Sequence, residues 1–211
     1  MEIIKVTSEN ISDAINRAAE IIKSCGVVAI PTDTSYGLAA NAFEKDCVLK
    51  VFKIKRRSLH KPLSIFVDSI KTIEKLFVID EIASKFLALL PEKLTLILKT
   101  KYPKLFPEGI LNPDGAVGIR YPLCIYPIEI ARISGVPITA TSANLSGEPP
   151  IYEPSLIIAK LENVDLLLDA GILPRRPVST VIDLSKKPPI VLREGAFPVK
   201  KLVKITGIKI R

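Results

Sequence analysis

The sequence holds little of several residue types on which metal and redox sites depend. Among 211 residues there are one histidine, three cysteines, one methionine and no tryptophan. The single histidine, His60, excludes a histidine-rich metal site and any mechanism that needs two histidines. Cys25, Cys47 and Cys124 are odd in number and match no zinc or redox spacing, so we expect three buried free thiols.

The chain also lacks long apolar runs. None approaches the roughly 20 residues that a membrane-spanning helix needs. The first ten residues, MEIIKVTSEN, lack the basic start and apolar stretch of a cleaved secretory signal. We therefore expect a soluble, cytoplasmic protein without a membrane partner.

What is present is the composition of an ordinary globular protein, with 48% apolar and 25% charged residues. The length favours one domain over residues 1–211. Thirty basic against 22 acidic side chains leave a formal net charge of +8. Such a surface suits phosphate-bearing partners such as nucleotides or RNA, and it is equally typical of a heat-tolerant protein with a lysine-rich surface.

Short β-branched runs alternate with segments of helical periodicity. The runs predict strands at 2–6, 27–30, 63–67, 95–99, 116–119, 137–140 and 164–169, and strand-rich structure in STVIDL, PIVLRE and LVKIT after residue 178. Helical spacing predicts helices between 11 and 26 and near 44–55, 69–76, 80–90, 125–134 and 154–161. This mixed order predicts an α/β (α+β) fold, with a twisted mixed sheet flanked by helices.

Polar side chains collect where predicted strands end, which is where ligands bind in open α/β sheets. The first group follows VVAI and places Thr32, Thr34 and Tyr36 on a polar loop over residues 31–37. Its hydroxyls could hydrogen-bond a small polar ligand, or they could form an ordinary Asx or ST turn.

The second group is a run of cations from Lys53 to Lys61, before Pro62, that includes Lys55 and Arg57. Like charges this close repel one another, so a polyphosphate or an RNA backbone would stabilise them. A solvated helix C-terminus, where the macrodipole favours cations, explains the same run.

The remaining groups add arginines and small hydroxyl residues. Arg120 follows the strand at 116–119, and its guanidinium suits a carboxylate, a phosphate or a surface ion pair. Residues 139–147, TATSANLSG, could bring backbone N–H groups against an anion. This stretch is neither a Walker loop nor a Rossmann fingerprint. Ser179 and Arg193 again place a hydroxyl and a cation beside strands.

Six segments together resemble the YrdC/Sua5 family of threonylcarbamoyl-AMP synthases in its short, single-domain form. In family order they are PTDTSYGL (31–38), KRRSLHKPL (55–63), VGIRYP (117–122), SANLSG (142–147), STVIDL (179–184) and LREGA (192–196). The resemblance implies a YrdC/RibB-like fold around a concave, basic cavity. It also implies formation of L-threonylcarbamoyladenylate and pyrophosphate from L-threonine, bicarbonate and ATP, the first step of N6-threonylcarbamoyladenosine formation on tRNA.

The resemblance gives each matching residue an implied role. Its Lys-x-Arg and Ser-x-Asn signature implies catalytic roles for Lys55, Arg57, Ser142 and Asn144. The implied ATP-binding residues are Arg57, Lys61, Ala116, Ser142 and Arg193. The implied L-threonine-binding residues are Thr32, Thr34, Tyr36, Arg120, Ala140 and Ser179, with Arg120 pairing the α-carboxylate. No protein metal ligand is implied, and Mg2+ is expected to arrive on the triphosphate of ATP.

Some positions depart from the family pattern. Asp33 and Ser35 replace the Glu and Val of the family's loop, Phe66 stands where many members have a histidine, and residues 150–152 replace a Ser-Pro-Thr stretch. With the positive net charge, these departures support an alternative, a non-catalytic paralogue that binds tRNA or double-stranded RNA. An active synthase would instead supply a tRNA-modifying threonylcarbamoyl transferase complex.

Overall fold

The computed structural model describes residues 1–211, and its ten strands form one mixed sheet. The strands are Glu2–Lys5 (β1), Val28–Pro31 (β2), Tyr36–Ala39 (β3), Ser64–Phe66 (β4), Leu94–Lys99 (β5), Ala116–Arg120 (β6), Ile138–Ser142 (β7), Leu166–Asp169 (β8), Thr180–Asp183 (β9) and Ile190–Arg193 (β10). Their order across the sheet is β1-β8-β2-β3-β7-β4-β6-β5-β9-β10. The pairs β1–β8, β2–β8, β4–β6 and β5–β9 are parallel and the others antiparallel, which confirms the predicted mixed α/β fold.

Seven helices flank the sheet. They are Ile11–Lys23 (α1), Lys45–Lys55 (α2), Ile70–Leu76 (α3), Glu81–Leu87 (α4), Ile125–Ser134 (α5), Pro154–Lys160 (α6) and Val199–Thr206 (α7). The first six match the predicted helices to within a few residues at each end. No helix combines the length and the apolar character that a membrane crossing requires.

The last helix overturns the strand predicted for LVKIT at 202–206. Pro198 precedes α7, and Gly207 ends it in the left-handed conformation with φ of 68°. Leu202 and Thr206 are its buried residues, and a spacing of four places them on one helical face. The helical spacing of the buried residues therefore indicates the structure of this segment better than its β-branched residues do.

The sheet is buried on both faces, because alternate residues of its central strands enter two different cores. In β2, Val28 and Ile30 pack against α1 and α5, whereas Ala29 belongs to the larger core on the other face. In β8, Leu166 and Leu168 enter the first core and Leu167 the second. This two-residue alternation explains why these strands are apolar throughout.

The predicted loop over 31–37 is a tighter structure than expected. Residues 32–35 turn the chain between β2 and β3, and Tyr36 and Gly37 already lie in β3, paired with Pro31 and Ile30. The polar residues 32–35 directly precede Tyr36 and conceal the start of this strand.

The expectation of three free thiols is wrong for two cysteines. Cys25, in the turn after α1, forms a disulfide with Cys47 in the first turn of α2. The intervening β2–β3 hairpin returns the chain to α1 and brings the two Cα atoms to 5.1 Å, a proximity that 22 residues of sequence separation conceal. Cys124 remains free and half-buried, and burial raises the pKa of its thiol to about 11.

Candidate active site

A cavity of about 210 Å³ opens on the sheet where β3, β7, β4 and β6 meet the β9–β10 pair. Its lining combines eight hydroxyl side chains with three arginines and contains no carboxylate. The lining residues are Thr32, Thr34, Ser35, Gly37, Arg57, Pro62, Leu63, Ser64, Phe66, Thr95, Arg120, Ala140, Thr141, Ser142, Val178, Ser179, Val181 and Arg193. Such a surface suits an anionic, hydrogen-bonding ligand.

The β2–β3 turn supplies one wall. The Thr32 hydroxyl donates to the Ser35 carbonyl at 2.7 Å and accepts from the Thr34 N–H at 3.1 Å. These bonds form an ST turn, and all three residues also line the cavity. The turn interpretation of this segment is therefore confirmed, and the same turn fixes residues that line the cavity.

Arg120, the last residue of β6, lies in a buried ion pair. Its Nη2 donates to Asp33 Oδ1 at 2.7 Å, and its Cζ lies 5.2 Å from the centre of the Phe66 ring. Asp33 and Arg120 are only 5% and 7% exposed. The guanidinium is therefore held between a carboxylate and an aromatic face at the cavity wall.

Lys55, the last residue of α2, is 1% exposed and does not line the cavity. Its Nζ donates to the main-chain carbonyls of Ser142 and Asn144, the latter at 2.7 Å. Its own carbonyl accepts from the Ser146 N–H at 2.8 Å. Burial, with a smaller effect from Arg57, lowers the pKa of Lys55 to about 7. Lys55 thus holds the loop after β7 in place.

That loop is further fixed by the side chain of Asn144. Its Oδ1 accepts a hydrogen bond from the Ser142 hydroxyl, and its Nδ2 donates to the carbonyls of Leu145 at 2.8 Å and Glu148 at 2.7 Å. Ser142 lines the cavity, whereas Asn144 is buried behind it. The Asn144 side chain therefore fixes the position of the Ser142 side chain at the cavity wall.

Arg57 extends from the segment after α2. Its Nε donates to the Lys61 carbonyl at 2.8 Å and its Nη2 to the Pro62 carbonyl at 3.3 Å. Burial lowers the pKa of Arg57 from its ordinary value. The Lys61 side chain is exposed and lies outside the lining, so this residue contributes its carbonyl to the site.

The strands β9 and β10 form the other side of the cavity. Arg193 donates to the Ser179 carbonyl from Nε at 3.0 Å and from Nη2 at 2.8 Å, and the Ser179 hydroxyl lies 2.8 Å from that of Thr95. Burial and the charge of Arg120 lower the pKa of Arg193. The guanidinium groups of Arg193 and Arg120 therefore line the same cavity and are close enough for the charge of one to affect the pKa of the other.

A strap of residues 170–178 leads from β8, the second strand across the sheet, to β9, the ninth. The Tyr36 hydroxyl donates to the Gly171 carbonyl at 2.8 Å and accepts from the Ala170 N–H at 3.0 Å. Tyr152 donates to the Arg176 carbonyl at 3.1 Å. Two tyrosines therefore fix the strap, and its last residue, Val178, lines the cavity.

The structure brings eight of the sequence-predicted residues to the cavity: Thr32, Thr34, Arg57, Arg120, Ala140, Ser142, Ser179 and Arg193. It does not bring Lys55, Lys61, Asn144, Tyr36 or Ala116 to the lining. Tyr36 is in the core, where burial raises its pKa to about 12. Ala116 begins β6, at the opposite end from Arg120, and its N–H and carbonyl bond to Asn112 at 2.8 and 2.9 Å.

Besides Thr141, which belongs to the polar stretch 139–147, the lining contains two hydroxyl residues that sequence reasoning missed, Ser64 and Thr95. Each stands within or beside an apolar strand, and that isolated polarity was the available signal. No group of three or more His, Cys, Asp or Glu side chains is arranged to hold a metal ion. With a lining free of carboxylates, the residues present do not form a protein site for Mg2+.

The chain is similar in sequence and in fold to several known proteins. A Methanocaldococcus jannaschii protein named putative threonylcarbamoyl-AMP synthase is 40% identical over 180 residues, 84% of each chain. The crystal structure of Pyrococcus abyssi Sua5 complexed with L-threonine superposes with a TM-score of 0.86 at 30% identity, over 100% of this chain and 61% of that one. Escherichia coli YciO superposes with a TM-score of 0.81 at 26% identity, over 95% and 97% of the two chains.

Homologues are thus named as threonylcarbamoyl-AMP synthase, which is an enzyme of the nucleotidyltransferase type. The chain spans about three fifths of the length of P. abyssi Sua5. The Sua5_yciO_yrdC family model, described as telomere recombination, matches residues 20–195. That match covers most of the sheet and every wall of the cavity, and the chain therefore belongs to the Sua5/YciO/YrdC family.

Proposed function

We propose that this protein is a threonylcarbamoyl-AMP synthase that forms L-threonylcarbamoyladenylate and pyrophosphate from L-threonine, bicarbonate and ATP. The observation that carries the proposal is the composition of one cavity, which has three arginines, eight hydroxyls and no carboxylate. The relatives named as synthases and the threonine complex of P. abyssi Sua5 support it. The product would pass to a tRNA-modifying threonylcarbamoyl transferase complex.

The proposed ligand contacts follow from the walls. Thr34, Arg120, Ala140 and Ser179 would hold L-threonine, with Arg120 on the α-carboxylate. Arg57, Ser142 and Arg193 would hold the phosphates of ATP. Apart from Ala140, these residues have charged or hydroxylic side chains, and the hydrogen bonds described above already fix the segments that carry them, so little reorganisation is needed when the ligands bind.

The chemistry requires positioning and charge stabilisation more than a covalent group. The threonine nitrogen adds to bicarbonate or CO2 to give a carbamate, and bicarbonate loses water. A carbamate oxygen then bonds to the α-phosphorus of ATP as pyrophosphate leaves. Lys55 and Asn144 would act as positioning residues for Ser142. We assign no step to Mg2+, which would be bound by the triphosphate rather than by the protein.

The test is mass spectrometry of the purified protein incubated with ATP, Mg2+, bicarbonate and L-threonine, against a matched sample without threonine. We expect a threonine-dependent adenylate and one pyrophosphate for each adenylate. Folded protein that binds ATP and yields neither product would overturn the proposal.

A second candidate, RNA binding without catalysis, is favoured by the outer surface of the segment after α2. Lys53, Arg56 and Lys61 are exposed, and none of them forms an ion pair. Phosphate contacts of this kind give affinity that falls steeply as salt rises. Replacing the three with Gln should reduce that salt dependence, whereas Ser142→Ala should leave RNA binding unchanged. Affinity that does not change with salt would contradict this candidate.

A further inference from the structure

Only two buried side-chain polar atoms in the protein lack a hydrogen-bond partner, and they belong to one ion pair. They are Asp33 Oδ2 and Arg120 Nε. The two residues are joined through their other atoms, Oδ1 and Nη2, at 2.7 Å. A buried polar atom without a partner is costly and rare in folded proteins. One unpaired acceptor and one unpaired donor on the two members of an ion pair therefore point to a ligand that carries both signs of charge.

The pair lies at the cavity. Arg120 is part of the lining. The chain neighbours of Asp33, Thr32 and Thr34, are also part of it, so the Asp33 carboxylate lies directly behind this wall. The lining itself has no carboxylate, and Asp33 is the acidic group paired with a lining residue.

The charge balance of this corner differs from that of the rest of the cavity. Arg57 and Arg193 donate to main-chain carbonyls and have no acidic partner, so they present net positive charge. Arg120 is neutralised by Asp33 and packs on Phe66. A neutral pair gives little preference to a simple anion, but it attracts both ends of a zwitterion.

We propose that Asp33 is the specificity-determining residue of the amino-acid subsite. Arg120 receives the α-carboxylate, and the Asp33 carboxylate attracts the α-ammonium of the incoming amino acid. The inference rests on the proposed function and adds that the site selects the zwitterionic form of the amino acid. Asp33 acts on binding, because the nitrogen is no longer an ammonium once the carbamate forms. Removing its charge therefore raises KM for threonine more than it lowers kcat.

The test compares L-threonine with (R)-3-hydroxybutyrate, which keeps the carboxylate and the hydroxyl but lacks the amine. Titration calorimetry without ATP gives both affinities for the wild type, Asp33→Asn, Asp33→Glu and the exposed control Asp13→Asn. We expect Asp33→Asn to weaken threonine binding at least tenfold and to leave the hydroxy acid unchanged or tighter. Asp33→Glu should restore part of the preference, and Asp13→Asn should match the wild type.

Equal weakening of both compounds would show that Asp33 only holds Arg120, and this would overturn the inference alone. Unchanged threonine binding in Asp33→Asn would overturn it too. If Asp33→Asn does not fold, the affinities of the wild type alone test the proposal. A wild type that binds threonine less than tenfold more tightly than the hydroxy acid would contradict it. A folded wild type that binds no threonine would overturn the proposed function together with the inference.

Discussion

Lys55 Nζ donates to the main-chain carbonyl of Asn144 at 2.7 Å, and this bond joins the end of α2 to the loop that follows β7. A second bond, to the Ser142 carbonyl, comes from the same ammonium. The signature lysine is thus turned toward protein carbonyls and away from the cavity. In the proposed reaction we therefore expect Lys55 to position Ser142 rather than to contact the reacting atoms.

The buried position of Lys55 predicts a pH-dependent stability. Its pKa is lowered to about 7 by burial, whereas a lysine in the unfolded chain has a pKa of about 10.4. The folded protein holds this proton less tightly than the unfolded chain, so stability rises with pH between these two values. We expect the free energy of unfolding, measured by urea titration, to increase between about pH 7 and pH 10.

The matched control for this prediction is Lys55→Met, which keeps the buried stem and removes the titrating group. The difference in unfolding free energy between the two proteins should change across the same pH range. A difference that stays constant would show that Lys55 keeps its proton in the folded state.

Arg57 and its neighbour Arg56 offer a matched pair for testing the phosphate contacts. Arg57→Gln should lower turnover more than tenfold, because a charge-assisted hydrogen bond contributes about 1.5–3 kcal/mol and about 1.4 kcal/mol is a factor of ten. Arg56 is exposed and outside the lining, so Arg56→Gln should change turnover by less than about twofold. Steady-state kinetics with varied ATP concentration measure the turnover of both variants. Equal losses of turnover would show that the phosphates do not bind at Arg57.

Gly195 is required by a close approach of two main chains. A Cβ at this position would lie 2.2 Å from the Val178 carbonyl oxygen and 2.8 Å from that of Ser179. Gly195→Ala should cost about 1–3 kcal/mol of unfolding free energy and weaken threonine binding through Ser179. Gly207→Ala is the control, because its Cβ meets nothing and only its φ of 68° costs energy. It should destabilise by about 1 kcal/mol and leave threonine binding intact.

The Cys25–Cys47 disulfide should contribute to stability without affecting the site. The bond closes a loop of 22 residues. This lowers the conformational entropy of the unfolded chain and should raise the free energy of unfolding by about 3 kcal/mol. We expect a reducing agent to lower the urea midpoint of the wild type and to leave its threonine affinity unchanged. The double variant Cys25→Ser, Cys47→Ser should have the lower midpoint from the start and show no response to reductant. A wild-type urea midpoint that does not change with the reductant would contradict the prediction.

The fold was largely readable from the sequence because its strands are apolar and its first six helices have clear periods. Two failures have local causes. Tyr36 and Gly37 directly follow the polar residues 32–35, so the sequence pattern indicates a loop where β3 begins. The segment LVKIT has the residue types of a strand, but Leu202 and Thr206 follow a helical period and Gly207 closes the helix.

The site was predicted less completely than the fold, because side-chain direction depends on distant contacts. Tyr36 and Gly37 are adjacent in β3, yet Gly37 lines the cavity and Tyr36 enters the core. The partner carbonyls of Lys55 lie nearly 90 residues away along the chain. Asp33 was noted as a departure from the family pattern, but only the structure shows its ion pair with Arg120.

The order in which the sheet is assembled has a consequence for biosynthesis. The walls of the cavity run from Thr32 to Arg193, and β9 joins the sheet by pairing Leu94 with Thr180. Such a long-range parallel pairing forms slowly, and it requires that Thr180–Asp183 have left the ribosome. A nascent chain can therefore contain Arg57, Arg120 and Ser142 without enclosing the cavity. The cavity is enclosed only when β9 and β10 join the sheet.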